Sequence, residues 1–264
     1  MSEIDPTAIL SPDAEIGANV SIGPYAIVEA DTVIGDNCTL AGHAVLRKGA
    51  ILGAGVRVDS FAVVGGEPQD LSFDPGVRSG VRIGDEVQIR EGVTIHRSSQ
   101  ENGHTEIAAQ CYLMGNSHVA HDCLVGSRCV LANGALVAGH VHMGDDVFVG
   151  GGAGIHQFLR IGTGSMIAGN AAISRDVPPQ VLAAERNLAC GLNLVGLRRR
   201  KTPAESIGDL KHCYAAIYRE RRSPAKLAEA AFAEGLGHTA HGRAFLEFYQ
   251  KPDRKFCRPR EKHS

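Results

Sequence analysis

The chain has 264 residues, 44% of them apolar, and a formal net charge of −2, which suits one elongated domain with a small appendage. A near-neutral balance leaves neither the basic footprint of a nucleic-acid binder nor a polybasic membrane anchor. No run of 18 apolar residues occurs, and the opening MSEIDPTAIL lacks a basic segment followed by an apolar stretch; no integral membrane segment, no secretory signal and a cytoplasmic location are expected. Seven cysteines, an odd number without CxxC spacing, offer no disulfide framework. Thirty-two glycines and no tryptophan fit many tight turns around small core residues.

From the N-terminus onward an aliphatic residue recurs at every sixth position: Ile4, Leu10, Ile16, Ile22, Val28 and on to Val64, then Ile83, Ile89 and Ile95, then Ile107 through Leu113, Val119 and Leu131 to Ile173. Four residues after each beat sits a small or β-branched residue, and Cys38, Cys111, Cys123 and Cys129 all fill that slot, which predicts small buried thiols. A helix cannot sustain a strict period of six with glycine at nearly every turn, and a long alternating strand does not match it. Short parallel strands joined by tight turns do, stacked as a hexapeptide solenoid in which three hexads make one coil. Handedness does not follow from the period.

The beat breaks twice. Residues 65–82 shift the phase by one and are expected to loop out; residues 97–106 keep phase without the pattern and read as a second, shorter excursion. Loops on a rigid scaffold commonly carry function. Residues 1–178 form the β-helix domain in this division, and 179–264 a linker and helical domain. Thr202-Pro203-Ala204-Glu205 has the order of a helix start, followed by Leu210, Cys213, Tyr214, Ile217 and Tyr218 at helical spacing. Ser223-Pro224 opens a second helix, and a third is expected over Gly242 to Gln250.

Residues 18 apart stack in adjacent coils. The turn Ala120-His121-Asp122 is followed one coil on by Ala138-Gly139-His140, and then by His156-Gln157-Phe158, with His118 just before the corner. Several histidines thus converge on one edge. Three accounts fit: polar residues tolerated at exposed turns, a zinc site like that of trimeric β-helix (γ-type) carbonic anhydrases, or one histidine acting as general base. A second column, Tyr112, Val130, Phe148 and Met166, is an outward apolar stripe, which predicts a buried contact and, for a three-sided prism, a trimer.

The runs His118-Val119-Ala120-His121-Asp122-Cys123, Leu131-Ala132-Asn133, Ala138-Gly139-His140, Ile155-His156-Gln157-Phe158 and Asp176-Val177-Pro178-Pro179 resemble the acyl-carrier-protein-dependent UDP-N-acetylglucosamine 3-O-acyltransferases of lipid A synthesis. Glu67-Pro68-Gln69-Asp70-Leu71, Val93-Thr94-Ile95-His96-Arg97, Gly191-Leu192-Asn193 and Gly196-Leu197 carry the same resemblance, which spans essentially the whole chain. It implies a mainly β fold, a left-handed parallel β-helix with a C-terminal α-helical domain, assembled as a homotrimer with active sites in clefts between subunits.

By that resemblance His121 is the general base and the Gly139 N–H the oxyanion donor. His118, His140, His156, Gln157 and Asp70 contact substrate, Asn193, Arg199 and Arg200 serve the nucleotide side, and Gly169 sets acyl-chain length. The donor is acyl carrier protein and the acceptor a UDP-sugar; neither a metal nor another cofactor is implied. Two readings fit the basic run Arg198–Lys201: a surface that receives the acidic carrier by charge, or a solvated entry to a helix. Three departures fall on the acceptor side: Ser72 where the family has lysine, Val195 where it has glutamate, and a shortened Ala184–Asn187 segment. They leave open a paralogue acting on the 3-amino analogue or another nucleotide sugar.

Overall fold

A computed structural model describes residues 2–218, 223–251 and 254–259. Its strands, mostly two residues long, build sheets of eleven, nine and eight strands, parallel throughout except for the last strand of the first, the faces of a three-sided prism. Each strand pairs with one a full coil away: Tyr112 with Val130, Val130 with Phe148 and Phe148 with Met166. The beat residues point inward, and Leu113, Val119, Leu131 and Val137 are fully buried, each worth about 1.5–3 kcal/mol over exposure. Cys38, Cys111, Cys123 and Cys129 lie beside them, buried and unpaired in disulfides. The first coil has a neighbour on one side only, so Ile4 stays 43% exposed.

The chain turns at each corner through the left-handed region, as at Asn116 (φ 58°), Asn170 (φ 58°) and Gly152 (φ 66°). Asn, Asp and Gly occupy that region at least cost, which is why they punctuate the repeat.

Both excursions are shorter than the sequence pattern suggests. Strands Val63–Gly66 and Gly80–Ile83 take up the edges of the first, and Thr94–His96 and His104–Ile107 those of the second, leaving 67–79 and 97–103 outside the sheets. Leu52 pairs with Ile83, a step of 31, and Ile95 with Val119, a step of 24, where the regular step is 18. The hydrophobic beat is lost beside the first loop because Gly66 and Gly80 supply only backbone to the ladder, and beside the second because His96 and His104 take the strand ends. Both loops leave the second (nine-stranded) sheet and return on the third (eight-stranded) sheet, at one and the same corner.

Parallel pairing continues beyond residue 178: Met166 faces Leu182 in strand Val181–Ala184, and only then does Leu188–Leu192 turn back antiparallel. That reversal covers the open end of the solenoid. Among the described residues four α-helices follow, α1 (Leu194–Arg199), α2 (Ala204–Tyr218), α3 (Pro224–Ala233) and α4 (Ala240–Glu247), the last running on into a 3-10 turn, Phe248–Gln250. The sequence pattern did not signal α1, a six-residue helix; α4 begins two residues before the expected Gly242, capped by the Thr239 hydroxyl. Leu210, Cys213, Phe245, Leu246 and Tyr249 form the helical core. A C-terminal strap, residues 254–259, then returns to the solenoid and bridges Asp176 through Phe256 and Leu188 through Arg258.

Candidate active site

The corner between the second and third sheets carries both excursion loops and His121, His140 and Phe158 on successive coils. His121 directs Nδ1 at Oδ2 of Asp122, 2.7 Å away. Asp122 also accepts from the Ser98 hydroxyl, the Ser99 hydroxyl (2.6 Å) and the Ser99 N–H. Burial alone would raise this carboxyl, but the hydrogen bonds from Ser98, Ser99 and His121 outweigh it and hold its pKa below the ordinary carboxylate value. An ionised carboxylate only accepts, so Nδ1 of His121 carries a proton towards Asp122, and in the neutral ring the lone pair is on Nε2.

That lone pair lies against Gly139. A Cβ built on Gly139 would stand 2.9 Å from both Nε2 and Cε1 of His121, so only glycine lets the ring rest over this turn. The Gly139 N–H finds no acceptor among the described residues. A lone-pair nitrogen beside an unpaired backbone donor is the arrangement that base-assisted acyl transfer needs.

His140 meets His121 edge to face, 5.1 Å between ring centroids, with Nε2 3.6 Å from Asp122 Oδ2. Three ligand-type atoms of His121, Asp122 and His140 therefore cluster. An ion shared by Nδ1 of His121 and the carboxylate would need about 2.0–2.2 Å to each atom. As placed, the 2.7 Å between those atoms is a hydrogen-bond separation, shorter than the roughly 3.3 Å that two ligands of one tetrahedral zinc keep.

His118 stands on the second sheet one turn earlier, its Nδ1 2.8 Å from the Thr94 hydroxyl and its ring edge-on to His96 at 4.7 Å. Burial lowers the pKa of His118 and, reinforced by His118 and His121, brings that of His96 down to about 4. Asp70 is exposed at the tip of the 67–79 loop, where Ser72 donates to it through its N–H (2.9 Å) and hydroxyl (2.8 Å). These bonds, with a smaller pull from His121 and His140, lower the Asp70 pKa. Arg97 secures the loop from beneath, donating to the carbonyls of Val77 (2.6 Å) and Pro75 (3.1 Å) and lying over the Phe73 ring. His156 and Gln157 are exposed one coil further on, and the His156 ring touches neither His121 nor His140.

Other candidates lie elsewhere on the prism. Asn193 caps α1 by accepting from Gly196 N–H and donates to the Gly164 carbonyl (3.0 Å), at the corner between the third and first (eleven-stranded) sheets. Arg200 donates to Gln180 Oε1 at the same corner, and Arg199 is exposed on α1. Gly169 sits at the remaining corner, where an added Cβ would meet only Gly151, 3.3 Å from its carbonyl. Within one chain His121, Asn193 and Gly169 thus occupy three separate corners.

The sequence pattern missed Asp122 as the partner of His121, and Ser98 and Ser99 as the partners of Asp122. The signal was present in the 24-residue step across the second excursion, which sets Ser98 opposite Asp122.

Comparison with known proteins agrees over the whole length. The profile described as Udp N-acetylglucosamine O-acyltransferase, domain 2, matches residues 176–257, and the bacterial transferase hexapeptide profile matches 13–48 and 104–139. An acyl-[acyl-carrier-protein]–UDP-N-acetylglucosamine O-acyltransferase of Janthinobacterium sp. (strain Marseille) is 44% identical over 88% of both chains. The protein of that name from Burkholderia mallei (strain SAVP1) is 42% identical over 98% of this chain and 100% of its own. The chain belongs to this family.

Solved structures give the same picture. LpxA from Acinetobacter baumannii superposes with a TM-score of 0.92 at 36% identity, covering 97% of this chain and 99% of that one. UDP-N-acetylglucosamine acyltransferase from Campylobacter jejuni superposes at 0.91 and 35%, covering 98% and 100%. The chain is an acyltransferase, a left-handed parallel β-helix of hexapeptide repeats closed by a helical unit. No helix among the described residues is long and apolar enough to cross a membrane.

Proposed function

We propose that this protein transfers a 3-hydroxyacyl chain from acyl carrier protein to the 3-hydroxyl of UDP-N-acetylglucosamine, the first step of lipid A synthesis, in the cytoplasm. The observation that carries the mechanism is the His121–Asp122 pair with Nε2 against Gly139. Nε2 takes the proton as the sugar oxygen attacks the thioester carbonyl, and Asp122 steadies the resulting imidazolium. The Gly139 N–H donates to the oxyanion. Collapse expels the phosphopantetheine thiolate, which recovers the proton from His121. Bonds and protons balance without a metal or any cofactor beyond the carrier-bound thiol.

The acceptor is held by His118, His140, His156, Gln157 and Asp70, with Ser72 fixing Asp70. The nucleotide end is taken by Asn193, Arg199 and Arg200. Because these groups lie on different corners of one prism, the cleft is completed by a second subunit. A threefold assembly with the Gly169 corner innermost sets the first sheet of one chain against the second sheet of the next. His121 then meets the neighbour's nucleotide-side corner at the rim, and Gly169 lies at the inner end of the groove. The outward stripe of Tyr112, Val130, Phe148 and Met166 supports this arrangement, since it gives the groove an apolar wall for an acyl chain. The outward residues of the third sheet are mixed: Arg82, Glu106 and His142 suit water, whereas Val33, Ile51 and Leu124 are apolar.

Mass analysis of the product from 3-hydroxyacyl carrier protein and UDP-N-acetylglucosamine tests the reaction. His121→Ala is expected to lower turnover about 10²–10⁴-fold with the trimer retained in light scattering. Activity above a tenth of wild type removes His121 as the base.

A further inference from the structure

Phe158 turns the chain at the His121 corner with φ 64°, as Tyr25 and Phe61 do at the corner between the first and second sheets, and the residue is 54% exposed. It is one coil from His140, and the two rings lie parallel, 4.5 Å apart and 10° from coplanar. On its other side the His140 imidazole faces Asp122 and the edge of His121. Among the described residues the His140 ring makes no direct hydrogen bond that would fix it; the 3.6 Å approach to Asp122 is long for one. The stacked ring of Phe158 therefore restricts where that imidazole can go.

The Phe158 turn is itself held from outside the solenoid. Arg254 of the C-terminal strap donates Nη2 to the Phe158 carbonyl at 2.7 Å. The same guanidinium forks onto buried Asp176, at 2.9 and 2.6 Å, beside Arg160, which donates to Asp176 through its backbone N–H and Nε. Bidentate pairs of this kind are strong and directional. Continuous contact thus runs from the strap that closes the helical unit, through Arg254 and Phe158, to His140 and the carboxylate of the base pair.

We propose that Phe158 is a positioning residue for acyl transfer, keeping His140 flat at the carboxylate that orients His121, and that Arg254 fixes Phe158 from the strap. The proposal rests on His121 as base. Its role is exerted through His140 and needs no contact between Phe158 and the reacting atoms.

The test pairs kinetics with ¹³C-histidine NMR of the full-length protein, the His140 signal being assigned with His140→Gln. The Phe158 ring current shifts the His140 Cε1–H resonance upfield in the wild type. Phe158→Leu is expected to abolish that shift and lower kcat about ten- to a hundred-fold, with KM for the nucleotide sugar changed less than about twofold. Phe158→Tyr keeps the ring and is expected to restore both. Arg254→Ala is expected to move the same resonance and lower kcat in the same direction. Phe158→Met, apolar but ringless, carries the same expectations if leucine prevents folding. Wild-type kcat in Phe158→Leu beside an inactive His121→Ala overturns this proposal alone, as does an unmoved His140 resonance. Full activity of His121→Ala overturns the base assignment and this proposal with it.

Discussion

The Cβ that Gly139 lacks would lie 2.9 Å from Nε2 of His121, so the residue with the unpaired backbone N–H also leaves the space in which the His121 ring rests. That ring cannot retreat far, because its other nitrogen is held at 2.7 Å by Asp122. Gly139→Ala should therefore fold, since position 139 is not in the left-handed region, yet push the imidazole off line. Turnover is expected to fall about a hundredfold with circular dichroism unchanged. Wild-type turnover in this variant rules out the contact as catalytically meaningful.

Phe148 is 36% exposed in the single chain and sits between Val130 and Met166 in the outward stripe. Phe148→Asp places an unpaired carboxylate in the contact, which is costly to bury. Monomers or insoluble protein are expected in analytical ultracentrifugation. A soluble, active trimer shows that the stripe faces solvent.

Gly169 has open space around its missing side chain, apart from the Gly151 carbonyl at 3.3 Å. A longer side chain fits with a shift of a few tenths of an ångström and projects from the corner. With glycine there, a donor of roughly fourteen carbons is expected to outpace one of ten, and Gly169→Met to reverse the order by shortening an apolar groove. Competition assays with mixed acyl carrier proteins read this directly; identical chain preference in both proteins shows that another residue sets length.

His96 is 7% exposed, its Nδ1 has no partner among the described residues, and burial brings its pKa down to about 4 from 6.5. The unfolded chain therefore binds a proton at this residue between those values while the folded chain does not. Stability is present in full above pH 6.5 and declines as pH falls towards 4, by about 3 kcal/mol. Burial of His118 acts in the same direction. Urea midpoints of wild type and His96→Gln, followed from pH 7 to pH 4.5, should converge as the pH falls. Parallel curves exclude His96 as the source.

Much of this molecule was legible from a period. A hydrophobic residue every sixth position, small residues in the slot between and Asn or Gly at the turns leave one economical way to bury the chain, because each hexad can satisfy its backbone only against the next coil. His121, Gly139 and His140 could be stacked on paper for the same reason. Pairing beyond the excursions was harder to read: loop length resets the register there, and Gly66 and Gly80 add strand without adding a hydrophobic signal. Helix α1 was hidden because six residues are too few to show a helical period.

Sequence by itself determined the solenoid, the corner on which the histidines gather and the family that the motifs resemble, since these follow from periodicity and local residue order. Only the tertiary structure decided which groups touch. Ser98 and Ser99 reach Asp122 because a six-residue insertion returns the chain to the same corner. Arg254 reaches Phe158 across 96 residues because the strap docks on Asp176. Such contacts join segments with no shared period, and their geometry is set by how loops and the helical unit pack against the prism, which no local pattern encodes.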